Sequence, residues 1–344
     1  MILFQCDYNE GTHPLIMERL LQTNLEQTPG YGEDIYCENA KRLIKKACGR
    51  EDVDVHFMVG GTQTNATVIS SVLRPYQGVI CADTGHINVH ETGAIEHSGH
   101  KVLAVKGENG LLLPQMVEMV MREHYEEDGP EHTVQPAMVY ISFPTEAGSI
   151  YSKSQLMELR SVCDKYSLPL FVDGARLGYG LTSSRCDITL KELATLADIF
   201  YVGGTKQGAL FGEAVVICNE AYKRDFRYHI KQNGGMLAKG RLLGIQFETL
   251  FTDDLYFKIA SHANNQALRI RDAFIRKGFD FLMDSPTNQQ FPIVTQELAT
   301  IIGKEFGYTF WKRVDEERIA IRFCTSWATK VENVDKLVDF IDKL

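Results

Sequence analysis

The sequence predicts an α/β protein whose large domain contains a mostly parallel, doubly wound sheet, followed by a smaller α+β domain. Three observations support this fold class. Apolar runs typical of buried strands alternate with helical periods as far as Cys218, and polar residues follow several of these runs. After Cys218, helices dominate and only short strands follow. We expect the large domain to cover residues 14–240 and the small domain to combine residues 1–13 with 241–344.

Composition limits the classes of function. A length of 344 residues suits two domains at roughly 150 residues each. The net charge of -9 comes with no dense basic stripe, which argues against a nucleic-acid partner. The eight cysteines form no Cys-x-x-Cys pair, as expected for reduced thiols in the cytoplasm. No segment has the ~20 apolar residues that a membrane span requires, and the N-terminus lacks the basic start of a signal peptide.

The first part of the large domain is predicted to be a scaffold followed by a candidate anion site. Helices are expected over 14–22 and 38–48, joined by a glycine-rich loop that contains Tyr31, and a strand over 53–58. Gly60-Gly61-Thr62 then joins this strand to a helix, where free backbone N–H groups and a helix N-terminus favour phosphate. The alternative is a plain turn in which Thr62 or Thr64 caps the helix.

His86 follows the next predicted strand, 78–82, and this position predicts that His86 lines the same cleft. His86 and His90, four residues apart, and the acid Glu91 would suggest a metal site if this stretch were helical. Glycines on both sides of this stretch and the lack of a third ligand oppose that interpretation. We therefore predict that no metal is bound.

The rest of the large domain continues the alternation of strands and helices. Strands are predicted over 101–105, 136–142 and 168–173, and helices over 114–125, 152–166 and 190–196. Ser152 and Gln155 form a capping box at the start of one of these helices. The third strand ends on a carboxylate, Asp173.

Lys206 follows the apolar run 198–202 and has glycines on both sides, with a second apolar run, 213–218, close behind. A lysine held at a strand end is suited to Schiff-base chemistry, which requires a partly desolvated amine. The alternative is a glycine-rich turn with a solvated lysine. Asp173, one helix and strand upstream, favours the first interpretation, because a pyridine ring with an aldehyde needs both an acid and an amine.

The C-terminal part is predicted to contain helices over 219–229, 241–251, 255–277, 297–306 and 331–344, with strands over 291–294 and 318–324. Arg322 lies in the second of these strands, among apolar residues. A guanidinium in such a position is better explained as a paired clamp for a carboxylate than as a solvated charge.

Six stretches, taken in this order, resemble the pyridoxal-phosphate enzymes of the aspartate-aminotransferase fold, also called fold type I. The closer resemblance is to the threonine aldolases in the beta-eliminating lyase group. The stretches are Tyr31-Gly32-Glu33-Asp34, residues 60–65, Gly85-His86, residues 173–176, residues 203–208 and residues 322–327. They span nearly the whole chain.

The resemblance implies that the cofactor is pyridoxal 5'-phosphate and assigns roles around it. Lys206 would form the Schiff base, and Asp173 would pair with the pyridine nitrogen. Gly61, Thr62 and Asn65 would hold the phosphate. His86 would stack on the ring and exchange a proton with the substrate's β-hydroxyl. Arg176 would brace Asp173 or reach the cofactor's phenolic oxygen, unless it forms a salt bridge on a helix surface.

The resemblance also implies how an amino-acid substrate is bound. Arg322 would bind its α-carboxylate. Relatives add a serine beside an aspartate near the N-terminus, where this chain has Cys6 followed by Asp7, and a thiol is a weaker donor than a hydroxyl. Tyr31 and Lys231 resemble residues that reach a neighbouring subunit's site, which implies a homodimer or homotetramer with shared active sites.

We expect cleavage of threonine or allo-threonine into glycine and an aldehyde, as in a low-specificity threonine aldolase. Two other enzyme activities stay open at this stage, an aminotransferase and a β-eliminating lyase that acts on another amino acid. A cofactor-binding scaffold or sensor without turnover is the third alternative, which Lys206, Asp173 and Arg322 together oppose.

Overall fold

A computed structural model describes residues 1–344. The strands, in chain order, are β1 (Ile2–Leu3), β2 (Asp54–Met58), β3 (Gln77–Ala82), β4 (Lys101–Val105), β5 (Gln135–Ser142), β6 (Leu170–Asp173), β7 (Ile199–Gly203), β8 (Glu213–Ile217), β9 (Gln289–Gln290), β10 (Ile293–Thr295), β11 (Phe306–Gly307), β12 (Thr309–Arg313) and β13 (Arg318–Cys324). The α-helices are α1 (Pro14–Thr23), α2 (Ile35–Cys48), α3 (Gly61–Val72), α4 (His86–Val89), α5 (Ala94–His97), α6 (Pro114–Glu126), α7 (Lys153–Tyr166), α8 (Leu177–Leu181), α9 (Leu190–Leu196), α10 (Phe226–Gln232), α11 (Arg241–Phe251), α12 (Leu255–Arg276), α13 (Gln296–Ile302) and α14 (Val331–Asp342). Short 3₁₀ helices lie at Pro130–His132, Glu220–Tyr222 and Thr252–Asp254. None of the helices is long and apolar enough to cross a membrane.

The central sheet has seven strands in the order β2-β8-β7-β6-β5-β3-β4. Strand β8 is antiparallel to both of its neighbours, and every other pair in the sheet is parallel. Strands β2, β3, β5, β6 and β7 therefore all end at the same edge. This arrangement confirms the predicted mostly parallel sheet, and it gathers the polar residues that follow these strands.

Both faces of the sheet are covered, as parallel sheets require. Along β5, Met138 and Tyr140 join the buried cluster on one face, and Val139 and Ile141 join the cluster on the other. Helices α2, α6, α7, α9 and α11 contribute to the second cluster, and α3 and α10 to the first. Burial on both faces explains why these strands are almost continuously apolar.

The C-terminal region forms a smaller antiparallel sheet, in which β13 pairs with β9, β10 and β12. The N-terminal strand β1 pairs with β11 in a separate parallel ladder. Helix α12 packs against α8 of the larger unit and against α14. Helix α11 packs against α1 and α2. The domain boundaries predicted at residues 13 and 240 stay a prediction.

Several predicted boundaries in the C-terminal half were wrong. The helix predicted over 219–229 is a 3₁₀ turn followed by α10, because Asp225 has a left-handed φ of 63° and interrupts the helix. Lys231 lies in the last turn of α10. The helix predicted over 297–306 ends at Ile302, and Phe306 pairs with Ile2 in a strand.

Candidate active site

A cavity of about 350 Å³ opens at the edge where the parallel strands end. Six of the residues predicted from the sequence line it: Gly61, Thr62, His86, Asp173, Arg176 and Lys206. They lie at or just after the ends of strands β2, β3, β6 and β7, which lie apart in sequence and meet only in the folded sheet. The cavity is therefore the candidate site.

Lys206 lies in the turn that follows β7, and its side chain lines the cavity. The turn is held by its backbone: Gly204 N donates to Gly212 O at 2.9 Å, and the hydroxyl of Tyr179 donates to the carbonyl of Lys206. Burial, together with the positive charge of Arg176, lowers the pKa of the Lys206 amine below its ordinary value. A larger fraction of the amine is then unprotonated and nucleophilic.

Asp173 is the last residue of β6, and both of its carboxylate oxygens are bonded. Oδ2 accepts from the hydroxyl of Tyr140 at 2.6 Å and from Asn65 Nδ2 at 3.0 Å. Oδ1 accepts from the hydroxyl of Tyr201 and from the backbone N–H of Ala175 at 3.0 Å. Burial opposes ionisation, but the nearby His86 and these hydrogen bonds lower the pKa of Asp173 below its ordinary value. The cavity thus has a fixed anion.

The turn before α3 presents free donors. Gly60 is the N-cap in extended backbone, and no side chain caps the helix. The alternative cap by a threonine is wrong, because the hydroxyl of Thr64 donates back to Gly60 O at 2.9 Å. A helix N-terminus without a cap, open to a cavity, is a site for an anion such as a phosphate.

Asn65 does not occupy the place predicted for it. Its side chain is fully buried, and Nδ2 donates to Asp173 and, at 2.7 Å, to Glu91 Oε1. The amide therefore faces two carboxylates rather than the helix N-terminus. These contacts replace the predicted role as a phosphate ligand with that of a brace for Asp173.

His86 begins the short helix α4 and lines the cavity. Its Nδ1 lies 2.7 Å from Glu91 Oε1, the same oxygen that accepts from Asn65. Burial lowers the pKa of His86, but the hydrogen bond to Glu91 and the charge of Asp173 outweigh it, so that the pKa lies above its ordinary value. Protonation of His86 is therefore favoured.

Arg176 forms a buried ion pair with Asp7. Nε donates to Oδ2 at 2.7 Å and Nη2 to Oδ1 at 3.0 Å, and Asn288 Nδ2 also donates to Oδ2 at 2.9 Å. Burial raises the pKa of Asp7, but Arg176 and Lys206 outweigh it and lower that pKa to about 2. Arg176 thus braces Asp7 and not Asp173, and its salt bridge is not on a helix surface.

Asp7 was predicted to bind substrate, but the ion pair gives it a different position. Its carboxylate is fully buried and both oxygens are bonded. Cys6 points elsewhere, with its thiol donating to Asn9 Oδ1 at 2.9 Å. Tyr8, next along the chain, lines the cavity. The contacts assign Asp7 to holding Arg176 and give Cys6 no contact with the other predicted residues.

Arg322 lies beside the cavity and does not line it. Nη1 donates to Gln289 Oε1 at 3.0 Å and Nη2 to the carbonyl of Gln5 at 2.9 Å. Its Cζ stands 5.2 Å from the ring centre of Trp311. The buried Nε has no partner in the chain. A guanidinium held in this position is compatible with the predicted clamp.

Tyr31 and Lys231 meet on the surface, away from the cavity lining. The amine of Lys231 lies 4.9 Å from the centre of the Tyr31 ring, and Tyr31 is about half exposed. Gln63 Nε2 donates to Asn233 O at 3.0 Å, which connects α3 to the loop after α10. The predicted contact with a neighbouring subunit stays a prediction.

Sequence reasoning missed several residues around the cavity: Tyr140, Glu146, Tyr201 and Glu213. Each was treated as part of a strand or of the loop after it. The available signal was a polar group inside or at the end of an apolar run, such as the carboxylate of Glu213 that opens β8. Burial raises the pKa of Glu213 to about 8, although Thr205 Oγ1 and Gly204 N donate to its oxygens at 2.9 and 3.0 Å.

The chain is similar to known proteins along most of its length. The family model for beta-eliminating lyases matches residues 8–305. A low specificity L-threonine aldolase of a Pseudomonas species (strain NCIMB 10558) is 29% identical over 97% of this chain and 95% of that protein.

Solved structures of threonine aldolases and of aminotransferases are also similar to this chain. The structure of Leishmania major threonine aldolase is 40% identical, with a TM-score of 0.97, over 100% of this chain and 99% of that chain. A Thermus thermophilus aspartate aminotransferase mutant, 13% identical with a TM-score of 0.71 over 100% and 91% of the two chains, shares the fold. The family match over most of the length and the 40% identity place the chain in the beta-eliminating lyase family, among its threonine aldolases.

Proposed function

We propose that this chain binds pyridoxal 5'-phosphate in the cavity and cleaves β-hydroxy-α-amino acids, including threonine and allo-threonine, into glycine and an aldehyde. One observation carries the proposal: an amine with a lowered pKa and a fixed, ionised carboxylate line the same cavity as an uncapped helix N-terminus. These are the three groups that a phosphorylated pyridine aldehyde requires.

The residues present fit this cofactor. Gly60, Gly61 and Thr62 would hold its phosphate, where a Cβ built on Gly60 would meet nothing within 4 Å. Asp173 would hold the ring nitrogen in its protonated form, and Lys206 would form the covalent link. When bound, the cofactor supplies an electron-withdrawing ring that weakens the bonds at the substrate's Cα.

The remaining residues orient the substrate. Arg322 would bind the α-carboxylate, because its guanidinium lies beside the cavity and is held there by Gln289 and by the Gln5 carbonyl. The charged groups that flank this region are held in place by neighbours, as Arg176 is by Asp7. His86 would lie against the cofactor ring. With the carboxylate fixed, the side chain of the substrate can be held so that the Cα–Cβ bond breaks.

The assembly and location are part of the proposal. We propose a homodimer or homotetramer in which Tyr31 and Lys231 reach the site of a neighbouring subunit. We also propose a cytoplasmic location, supported by eight cysteines that are all unpaired.

Product analysis tests the reaction. The purified protein, supplied with pyridoxal phosphate, should convert threonine or allo-threonine into glycine and acetaldehyde with no keto-acid acceptor. If a 2-keto acid forms, and only when a keto-acid acceptor is added, an aminotransferase activity replaces the proposed one.

Covalent attachment tests the site. Borohydride reduction should fix the cofactor on Lys206, and Lys206→Ala should abolish the fixed label because no other amine is placed to react. Mass spectrometry of peptides locates the label. A label on a different lysine in the wild-type protein would remove Lys206 from the mechanism.

A further inference from the structure

Glu146 follows β5 and lines the cavity with one oxygen free. Its Oε1 accepts from Ser142 Oγ at 2.6 Å and from the backbone N–H of His86 at 3.1 Å. Its Oε2 makes no hydrogen bond within the chain, and the residue is partly exposed to the cavity. Glu146 is thus a held carboxyl group that presents one unused oxygen to whatever the cavity contains.

The position of Glu146 is tied to that of Arg322. The buried Gln289 accepts from Arg322 Nη1 at 3.0 Å through Oε1 and donates to the backbone carbonyl of Glu146 at 3.3 Å through Nε2. The Gln289 side chain therefore bridges Arg322, the proposed carboxylate clamp, and the backbone of Glu146. The backbone N–H of His86 also donates to Glu146, so hydrogen bonds connect this residue both to the group that would face the ring and, through Gln289, to the group that would fix the substrate.

The other carboxylates of the cavity are already engaged. Asp173 accepts four hydrogen bonds. Both oxygens of Glu213 accept from the turn that carries Lys206. Asp173 and Glu213 therefore hold parts of the site, and Glu146 is the carboxyl group left with a free oxygen toward the cavity.

The pKa of Glu146 is consistent with a role in proton transfer. Burial and the charge of Asp173 raise the pKa of Glu146 above its ordinary value, although the bond from Ser142 acts in the opposite direction. A raised pKa makes this carboxylate a better base at neutral pH. His86 is engaged with Glu91 through Nδ1 at 2.7 Å, and burial raises the pKa of Tyr8, which favours its protonated hydroxyl.

We propose that Glu146 is a catalytic residue that takes the proton of the substrate's β-hydroxyl through its free oxygen Oε2. This proposal rests on the proposed function and deepens it, because it moves the proton transfer from His86 to Glu146. His86 keeps its place against the ring and fixes Oε1 of Glu146 by its backbone N–H.

The step balances within the substrate and this one side chain. The O–H bond of the β-hydroxyl breaks as an O–H bond forms at Oε2, and the electron pair left on oxygen becomes the second bond of the aldehyde carbonyl. The Cα–Cβ bond breaks, and its electron pair stays with the Cα fragment. That fragment takes up one proton, which Glu146 can return, to give glycine. The two products hold all atoms of the amino acid.

The titratable groups that interact electrostatically with Glu146 lie on several elements: Cys81 of β3, His86 of α4, Tyr140 of β5, Tyr151 before α7 and Asp173 of β6. Apart from His86, these groups are fully buried. If Glu146 is the base, kcat should fall at low pH, where this carboxylate is protonated. Because other titratable groups lie nearby, a variant that lacks the Glu146 carboxylate is needed to assign this acid limb of the pH profile to Glu146.

Glu146→Gln tests the proposal in the holoenzyme. The amide oxygen can still accept from Ser142 and His86, whereas the free end becomes an NH₂ group that cannot take a proton. We expect kcat for threonine cleavage to fall about 100-fold or more, and the acid limb of its pH profile to disappear. The dissociation constant for glycine, which lacks the hydroxyl, should change by less than about threefold. Glu158→Gln, an exposed glutamate on α7, is the matched control and should change none of these quantities.

Three results would overturn the proposal. Glu146→Gln could keep kcat within about threefold of wild type, or keep the acid limb of the profile. It could instead lose glycine binding or its unfolding midpoint as severely as kcat, which would indicate a structural role. The proposed function fails separately, and this proposal with it, if the wild-type protein releases no aldehyde from any β-hydroxy amino acid.

Discussion

Burial, neighbouring charges and hydrogen-bond donors together set the charge of each carboxyl group in the cavity. Asp173 accepts four hydrogen bonds and stays ionised despite its burial. Glu213 accepts two, and its pKa rises to about 8. The charge of His86 and the larger number of donors at Asp173 thus separate an ionised carboxylate from a group that is mostly neutral at pH 7.

Glu213 should make stability depend on pH. Its pKa is 4.5 without the fold and about 8 within it, so between these values the folded chain keeps a proton that the unfolded chain has released. Wild-type stability therefore falls as pH rises through this window, by at most about 1.4 kcal/mol per unit. The side chain in Glu213→Gln cannot ionise. The Tm of the cofactor-free variant, measured relative to that of the cofactor-free wild type, should therefore increase from pH 5 to pH 9. A constant difference in Tm would contradict this, and Glu158→Gln serves as the control.

Arg322→Lys should weaken substrate binding far more than cofactor binding. Lysine offers a point charge in place of the planar fork that holds Gln289 and would hold a carboxylate. A loss of about 1.5 to 3 kcal/mol corresponds to a KM roughly 10- to 150-fold higher. Arg318→Lys on the same strand, paired with Asp315 on the surface, is the matched control. Equal KM values for the two variants would assign Arg322 to the structure of the strand.

At the scale of elements, the cavity depends on close packing between β6 and β7. A Cβ on Gly174, the residue after Asp173, would lie 1.8 Å from the carbonyl oxygen of Tyr201. Only glycine lets the two strand ends approach so closely that the hydroxyl of Tyr201 reaches Asp173. This contact links backbone packing directly to the charge of the site.

Gly174→Ala should therefore damage both the fold and the site. We expect a loss of about 2 to 4 kcal/mol in the free energy of unfolding, because a backbone atom must move. Cofactor absorbance should fall with it, since Asp173 would shift. Denaturant titration and visible spectroscopy measure the two effects. Gly11→Ala, where a Cβ meets nothing within 4 Å, should leave both unchanged, and a similar result for Gly174→Ala would contradict the argument.

Elements with strong local signals were predictable from the sequence. The capping box at Ser152 and Gln155 is present, and α7 starts where it predicts. Strand β12 was missed because its pairing with β13, which places Thr309 opposite Arg322, depends on residues outside its own short segment. The site was predictable where a residue lies at or shortly after the end of a strand, as Asp173 and Lys206 do. The roles of Asn65 and Glu146 depend on which neighbour each side chain meets, which spacing does not determine.

At the scale of the whole molecule, the proposed sharing of sites between subunits can be tested by mixing inactive variants. If Lys231 serves the neighbouring subunit, a hybrid of Lys206→Ala and Lys231→Ala protomers has one site with both lysines intact. Random pairing in co-expressed dimers should restore about a quarter of wild-type activity. Each variant alone should be inactive or nearly so. A mixture no more active than the two variants measured separately would show that Lys231 acts within its own subunit.

The N-terminal segment has a practical consequence for anyone who modifies this enzyme. Ile2 and Leu3 pair with β11, the Gln5 carbonyl holds Arg322, and Asp7 holds Arg176, all within a few residues of Met1. A bulky affinity tag or an immobilising resin attached near Met1 would disturb the contacts that hold Arg322 and Arg176. Leu344, which follows α14, is exposed and makes no such contacts, so attachment of a support at this residue would leave both arginines undisturbed.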